Sequence, residues 1–149
     1  MLLLRFLLII HLLQASSHAG SRITTIEAKG PTIIAFFHPV TKAELRKDTD
    51  LNEALSDFQY HLRKAKPRLE DAGISVHEIY STSFRIKLPS TTITFKTKDI
   101  HVGYYFILPG KEPSIQYGVL TDIDLLHFAD DYFRTSILSV TYFRHLHVN

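Results

Sequence analysis

The sequence predicts an α/β domain, a mixed sheet with flanking helices and an inserted β-hairpin. Three observations predict it. Residues 32–37 (TIIAFF) and 104–108 (YYFIL) are dense apolar runs, the pattern of strands covered on both faces. Between them, Leu51, Leu55, Phe58, Leu62, Ala65, Leu69 and Ala72 recur at steps of four and three, as on a helix lying on a sheet. Finally, residues 102–134 read as strand, tight turn, strand and helix, with Pro109-Gly110-Lys111 supplying the turn.

Composition narrows what the chain can do. At 149 residues it has room for one domain with a real core. A net charge of only +2 is too small for a polyanion binder, so no nucleic-acid partner is expected. There is no cysteine, which removes disulfides, thiol catalysis and cysteine-ligated zinc or iron–sulfur sites.

Residues 1–19 have the marks of a secretory signal peptide. Arg5 supplies the charge, residues 6–13 the apolar core broken by His11, and Ser17-His18-Ala19 the small residues a signal peptidase reads. The apolar run is roughly half the twenty residues that a spanning helix needs. The expectation is a chain secreted or delivered to a periplasm, with no stable membrane anchor after cleavage. Residues 20–149 then form a single domain, with a tail from about residue 135.

Along that domain, residues 22–28 suggest a short strand anchored by Ile23 and Ile26, and Lys29-Gly30-Pro31 a turn. Residues 42–50 are a charged connection with room for a helical turn. Asp50 and Glu53 suggest a capping box for the long helix 51–72. Pro67 predicts a kink near residues 63–66, because its ring clashes with the Arg63 carbonyl and it has no N–H to donate. Gly73 is the natural stop. Residues 74–80 are the next strand, and a strand–helix–strand crossover makes it parallel to residues 32–37.

Phe84, Ile86 and Leu88 alternate with Arg85 and Lys87, and Ile93 and Phe95 with Thr92, Thr94 and Lys96. Around Pro89-Ser90-Thr91 this reads as a hairpin with one polar, basic face. Residues 114–119 read as a half-buried or edge strand, with Ile115, Tyr117 and Val119 on one face. Thr121 caps the last helix, with Asp122 and Asp124 in its first turn. Leu125, Phe128, Ala129 and Tyr132 form its apolar stripe, Leu126 and Phe133 lie at the margin, and His127, Asp130 and Asp131 face water. The tail, with Ile137, Leu138, Val140, Tyr142, Phe143 and Leu146, is too apolar for plain disorder and is expected to dock on the body or on a partner.

The order of elements from about residue 32 to 134 resembles the thioredoxin-like fold. The likeness rests on Pro67 within the long helix, on the closing run FILPGKEPSIQYGVLTDIDLLHFADDYF, and on Gly118 in the final strand. The departures are chemical. His38-Pro39-Val40-Thr41 stands where the family has Cys-x-x-Cys, and Val102-Gly103-Tyr104 where it has a cis-proline. The resemblance therefore implies a divergent, non-redox member, with residues 81–101 in place of the middle helix.

Ligands of such sheets meet the protein beyond the carboxyl ends of the parallel strands, and the resemblance places His38, Thr41 and Tyr104 there. His38 has two readings, a general base or hydrogen-bond donor, or simply the end of a strand bonded to backbone. Arg85 and Lys87, with Lys96 and Lys98, either form a docking face for an acidic partner or a solvated face. His145 and His147 would share a strand face, but His77, His101 and His127 show no converging spacing, so no metal is expected. Phosphate loops, nucleophile elbows and paired carboxylates are missing from the sequence, and no cofactor is expected. Two functions remain. One is an exported binding module for another exported protein or a peptide. The other is a small-ligand protein or enzyme using a non-thiol site at His38, Thr41 and Tyr104.

Overall fold

The computed structural model describes residues 23–81, 83–96 and 101–138. Its elements run β1 (Thr24–Glu27), β2 (Thr32–Phe37), α1 (Lys42–Lys47), α2 (Thr49–Asp71), β3 (Ser75–Tyr80), β4 (Ser83–Lys87), β5 (Thr92–Lys96), β6 (Val102–Ile107), β7 (Ser114–Tyr117) and α3 (Asp122–Phe133). They stack in three layers. A four-stranded sheet, order β3-β2-β6-β7, lies between the helices and a three-stranded sheet, order β1-β4-β5.

In the four-stranded sheet β2 and β3 are parallel, β6 is antiparallel to β2, and β7 is antiparallel to β6. With α2 joining β2 to β3 and α3 closing the chain after β7, this is the thioredoxin-like arrangement. The two apolar runs of the sequence are its central strands, paired Ala35 to Tyr104 and Ile33 to Phe106. All six residues of β2 are buried because both faces are covered. Ile33, Ala35 and Phe37 face the helices with Tyr104 and Phe106, while Ile34 and Phe36 face the small sheet with Tyr105 and Ile107. Each buried Ile or Phe among them contributes about 1.5–3 kcal/mol by leaving water.

The small sheet replaces the family's middle helix. The β4–β5 hairpin forms as the alternation predicts, but β1 joins it, parallel to β4 from Thr24 opposite Phe84 to Glu27 opposite Lys87. Its inner face, Ile26, Phe84, Ile86 and Phe95, closes on β2 and β6. The ring centroids of Phe84 and Phe95 lie 5.6 and 3.9 Å from that of Tyr105, and Phe84 is 5.8 Å from Phe36.

Residues 42–47, where the charged connection left room for a helical turn, are a six-residue helix, closed at its start by a Thr41–Glu44 capping box. Other local readings are corrected. The long helix begins at Thr49, not Leu51. Its cap is Asp48, whose carboxylate accepts from Leu51 N at 2.9 Å, and not Asp50. The helix continues through Pro67, and both Pro67 and Arg63 are exposed, so water can serve the carbonyl that proline leaves unpaired. The stripe of α3 is rotated, with Leu126 and Phe133 buried and Phe128 and Tyr132 half-buried. Val119 parts from Ile115: Gly118 turns with φ +87°, and Val119 packs on the helix side.

The described part of the tail docks on the body. Ile137 is buried in the helix-side core. Asp130, expected to face water, accepts from Thr135 Oγ1, Ile137 N and Leu138 N at 2.7, 2.8 and 3.1 Å. Residues 1–22 and 139–149 lie outside the described residues, and with them the proposed signal peptide, His145 and His147.

Candidate functional site

At the carboxyl end of β2 the chain makes a small polar cluster instead of a thiol pair. His38 follows the last paired residue of β2 and donates its N–H to the His101 carbonyl at 2.7 Å. The two imidazoles meet edge to face, with centroids 4.7 Å apart. His38 Nδ1 is buried and has no hydrogen-bond partner among the described residues. Burial holds the His38 pKa below its ordinary value, His101 lowers it further, and Glu44 opposes both.

Thr41 is occupied by its own helix start. Its N–H and Oγ1 both donate to Glu44 Oε2 at 2.7 Å, and Oγ1 accepts from Glu44 N at 3.2 Å. Those bonds hold Glu44 below the usual carboxylate range. The pattern Thr41-x-x-Glu44 is visible in the sequence and announces this cap.

Tyr104 sits elsewhere. Its ring is fully buried, 5.8 Å from the Phe58 ring, and its hydroxyl accepts from Leu120 N at 3.3 Å. Burial pushes its pKa up to about 12. The structure thus groups His38 and Thr41 with His101 and Glu44, and places Tyr104 inside the helix-side core.

Arg85 and Lys87 stand on the outer face of the small sheet, both exposed, with Lys96. Cross-strand rows Thr25–Arg85–Thr94 and Glu27–Lys87–Thr92 set their neighbours. Glu27 faces Lys87 across the strands and lies 3.7 Å from Lys29 Nζ. Among the described residues Arg85, Lys87 and Lys96 form no ion pair. Lys98 lies outside the described residues.

The strand edges differ in what they offer. Leu88 N donates to Thr91 O at 2.8 Å, so alternation along the antiparallel ladder turns the backbone groups of Thr92, Thr94 and Lys96 away from β4. Gly118 N donates to Val102 O at 3.0 Å, which in the same way turns Ile115 and Tyr117 outward on β7. That edge is only four residues long, with Pro113 immediately before it. On β3 the outward side carries Glu78 and Tyr80, whose side chains bond each other, and Gln59 of α2 donates to Tyr80 Oη at 2.9 Å.

Two further polar groupings lie apart. A cavity of about 410 Å³ opens at the start of β3, lined by Glu70, Gly73, Ile74, Ser75, Val76 and His77. On the α2–α3 seam, His61 Nδ1 lies 2.9 Å from Asp122 Oδ1, with Lys64 Nζ 3.7 Å from Asp122 Oδ2. Among the described residues no three histidine or carboxylate side chains are grouped to hold a metal ion. No described helix is long and apolar enough to cross a membrane.

No protein-family model, curated protein or solved structure matches this chain. The thioredoxin-like reading therefore rests on strand order, strand direction and helix placement.

Proposed function

We propose that this chain is an exported, non-redox binding module that takes a protein or peptide ligand. One observation carries the reading. The small sheet ends at β5 with unpaired backbone groups, and no described residue pairs with them. Such an edge accepts an added strand, with main-chain bonds giving affinity and alternate side chains giving choice. Two features support the rest. The absence of cysteine excludes thiol–disulfide exchange, and the pattern of residues 1–19 supports export.

The binding reading is tested by screening the purified chain against arrays of extended peptides, beside a charge-matched control protein. Saturable binding to a subset of peptides, at micromolar affinity or better, is the expected result. An array on which the chain and the control behave alike overturns it. Export is tested by expressing the full chain in its source cell and sequencing the amino terminus of the released protein. A new terminus at Gly20 is expected, and full-length chain retained inside the cell contradicts it.

A second reading has its own observation. The unpartnered Nδ1 of His38, beside His101 and Glu44, suits a small polar ligand whose donor or acceptor completes it. In that case His38→Ala abolishes binding of the small ligand and leaves peptide binding unchanged.

A further inference from the structure

The three-stranded sheet is one strand narrower than the sheet beneath it, and ring contacts show where the missing place lies. Phe84 of β4 touches both Phe36 of β2 and Tyr105 of β6, at 5.8 and 5.6 Å. Phe95 of β5 sits over Tyr105 at 3.9 Å. Passing from β4 to β5 thus moves from β2 towards β6, and the next step outward lies above β7. There Ile115 is half-buried, and Tyr117, which shares its face, is 56% exposed. Ile93 and Phe95 on the inner face of β5 are also only half-buried. Four apolar side chains therefore line a step bounded by an open strand edge.

We propose that an extended segment of a partner protein, alternating apolar and acidic residues, adds to β5 as a fourth strand of the outer sheet. The proposal rests on the binding reading above and names its site and its ligand class. The strand would bond through the outward N–H and C=O groups of Thr92, Thr94 and Lys96. Its inward side chains would cover Ile93, Phe95, Ile115 and Tyr117, which calls for apolar residues at every second position. Its outward side chains would join the face that carries Lys96, Arg85 and Lys87, where only Glu27 offers a negative charge among the described strands and Lys29 already lies beside it. That face calls for carboxylates. A second copy of this chain fits poorly, because pairing β5 with β5 puts both sets of basic side chains on one six-stranded face.

The test uses the full chain and two short fluorescent peptides, one alternating valine and glutamate, the other valine and lysine. Binding is read by fluorescence anisotropy. Thr94→Pro removes an outward N–H that β4 does not use, so the hairpin ladder survives, and circular dichroism checks the fold. The glutamate peptide is expected to bind, to lose about tenfold in affinity with Thr94→Pro, the worth of about one hydrogen bond, and to lose a few-fold with Lys96→Glu. The lysine peptide should bind weakly and gain from Lys96→Glu. If array peptides bind but Thr94→Pro changes nothing, the β5 site is overturned while the binding reading stands. If no peptide of any kind binds, both fall. Truncation after Leu138 that raises affinity for the glutamate peptide points to the chain's own tail as occupant, and a concentration-dependent dimer abolished by Thr94→Pro points to a second copy. Either result overturns the assignment to a partner.

Discussion

At Gly103 a β carbon would lie 2.8 Å from Phe36 Cζ and 2.9 Å from the Gln116 carbonyl oxygen. The backbone of β7 cannot retreat without breaking its ladder, so the whole strain falls on the sheet. Gly103→Ala is expected to cost about 2 kcal/mol, read as a lower urea midpoint. Gly30→Ala, where nothing lies within 4 Å, should stay within about 0.5 kcal/mol. Equal effects at the two positions would show that the close approach is not felt. His38 sets a second expectation. Its folded pKa lies below the ordinary value of 6.5, so the unfolded chain takes the proton first as pH falls. Its neutral ring is tolerated fully above about pH 6.5, and stability declines from there until the folded pKa is passed. His77, lowered by burial and by Lys66, pushes the same way. The urea midpoint should therefore fall as pH drops below 6.5, and His38→Gln should flatten part of that fall. An unchanged slope in the variant removes His38 from the account.

Among the elements, α3 shows how one carboxylate can organise the segment after its helix. Asp130 accepts two backbone N–H groups and a hydroxyl from residues 135–138, and that clasp holds the segment whose Ile137 is buried in the helix-side core. Asp130→Asn keeps the volume and weakens the charge-assisted bonds, at an expected cost of about 1–2 kcal/mol. Hydrogen exchange at the Ile137 and Leu138 amides should accelerate while the β2 amides keep their protection. Uniform acceleration across the chain would instead mean that α3 itself depends on the contact. The short α1 is held by Thr41 and Glu44 and buries none of its residues, so its stability is local. The edge β5 is a different kind of element, because Ile93 and Phe95 on its inner face are only half-buried.

The molecule as a whole is joined by two apolar interfaces on opposite faces of one sheet. Phe84 is fully buried at the centre of the outer one, in ring contact with Phe36, Phe95 and Tyr105. Phe84→Ala should cost about 3–5 kcal/mol, and hydrogen exchange should show β1, β4 and β5 opening before the helix-side core. Loss of protection on both faces together would mean a single cooperative unit. Much of this plan was legible in the residues. The buried run of β2 and the steps of four and three in α2 carry their own periodicity, and the absence of cysteine speaks for itself. What was hidden depended on partners distant in sequence. Nothing near Thr24–Glu27 announces pairing with β4, nothing in Val102-Gly103-Tyr104 announces Phe36, and Tyr104 reads as core from its apolar run and as the wall of a cleft only through the fold resemblance. The rotation of α3 goes with the burial of Ile137 in the same core as Leu126 and Phe133, a contact that lies beyond the helix's own periodicity. Asp48 is hidden because Asp50 with Glu53 fits a capping box by spacing, whereas the residue three after Asp48 is Leu51.

The parallel register of β1 on β4 has a consequence for how the chain is made. Strand β1 meets β4, its one neighbour among the described strands, about sixty residues later, a long loop to close before any reward. A chain that emerges amino terminus first must therefore carry Thr24–Glu27 unpaired until the hairpin arrives. All three strands of the outer sheet have then emerged by Lys96, before β6 and β7 of the inner sheet, and a nascent chain halted before Ser83 can build at most the β2–β3 portion of its sheet.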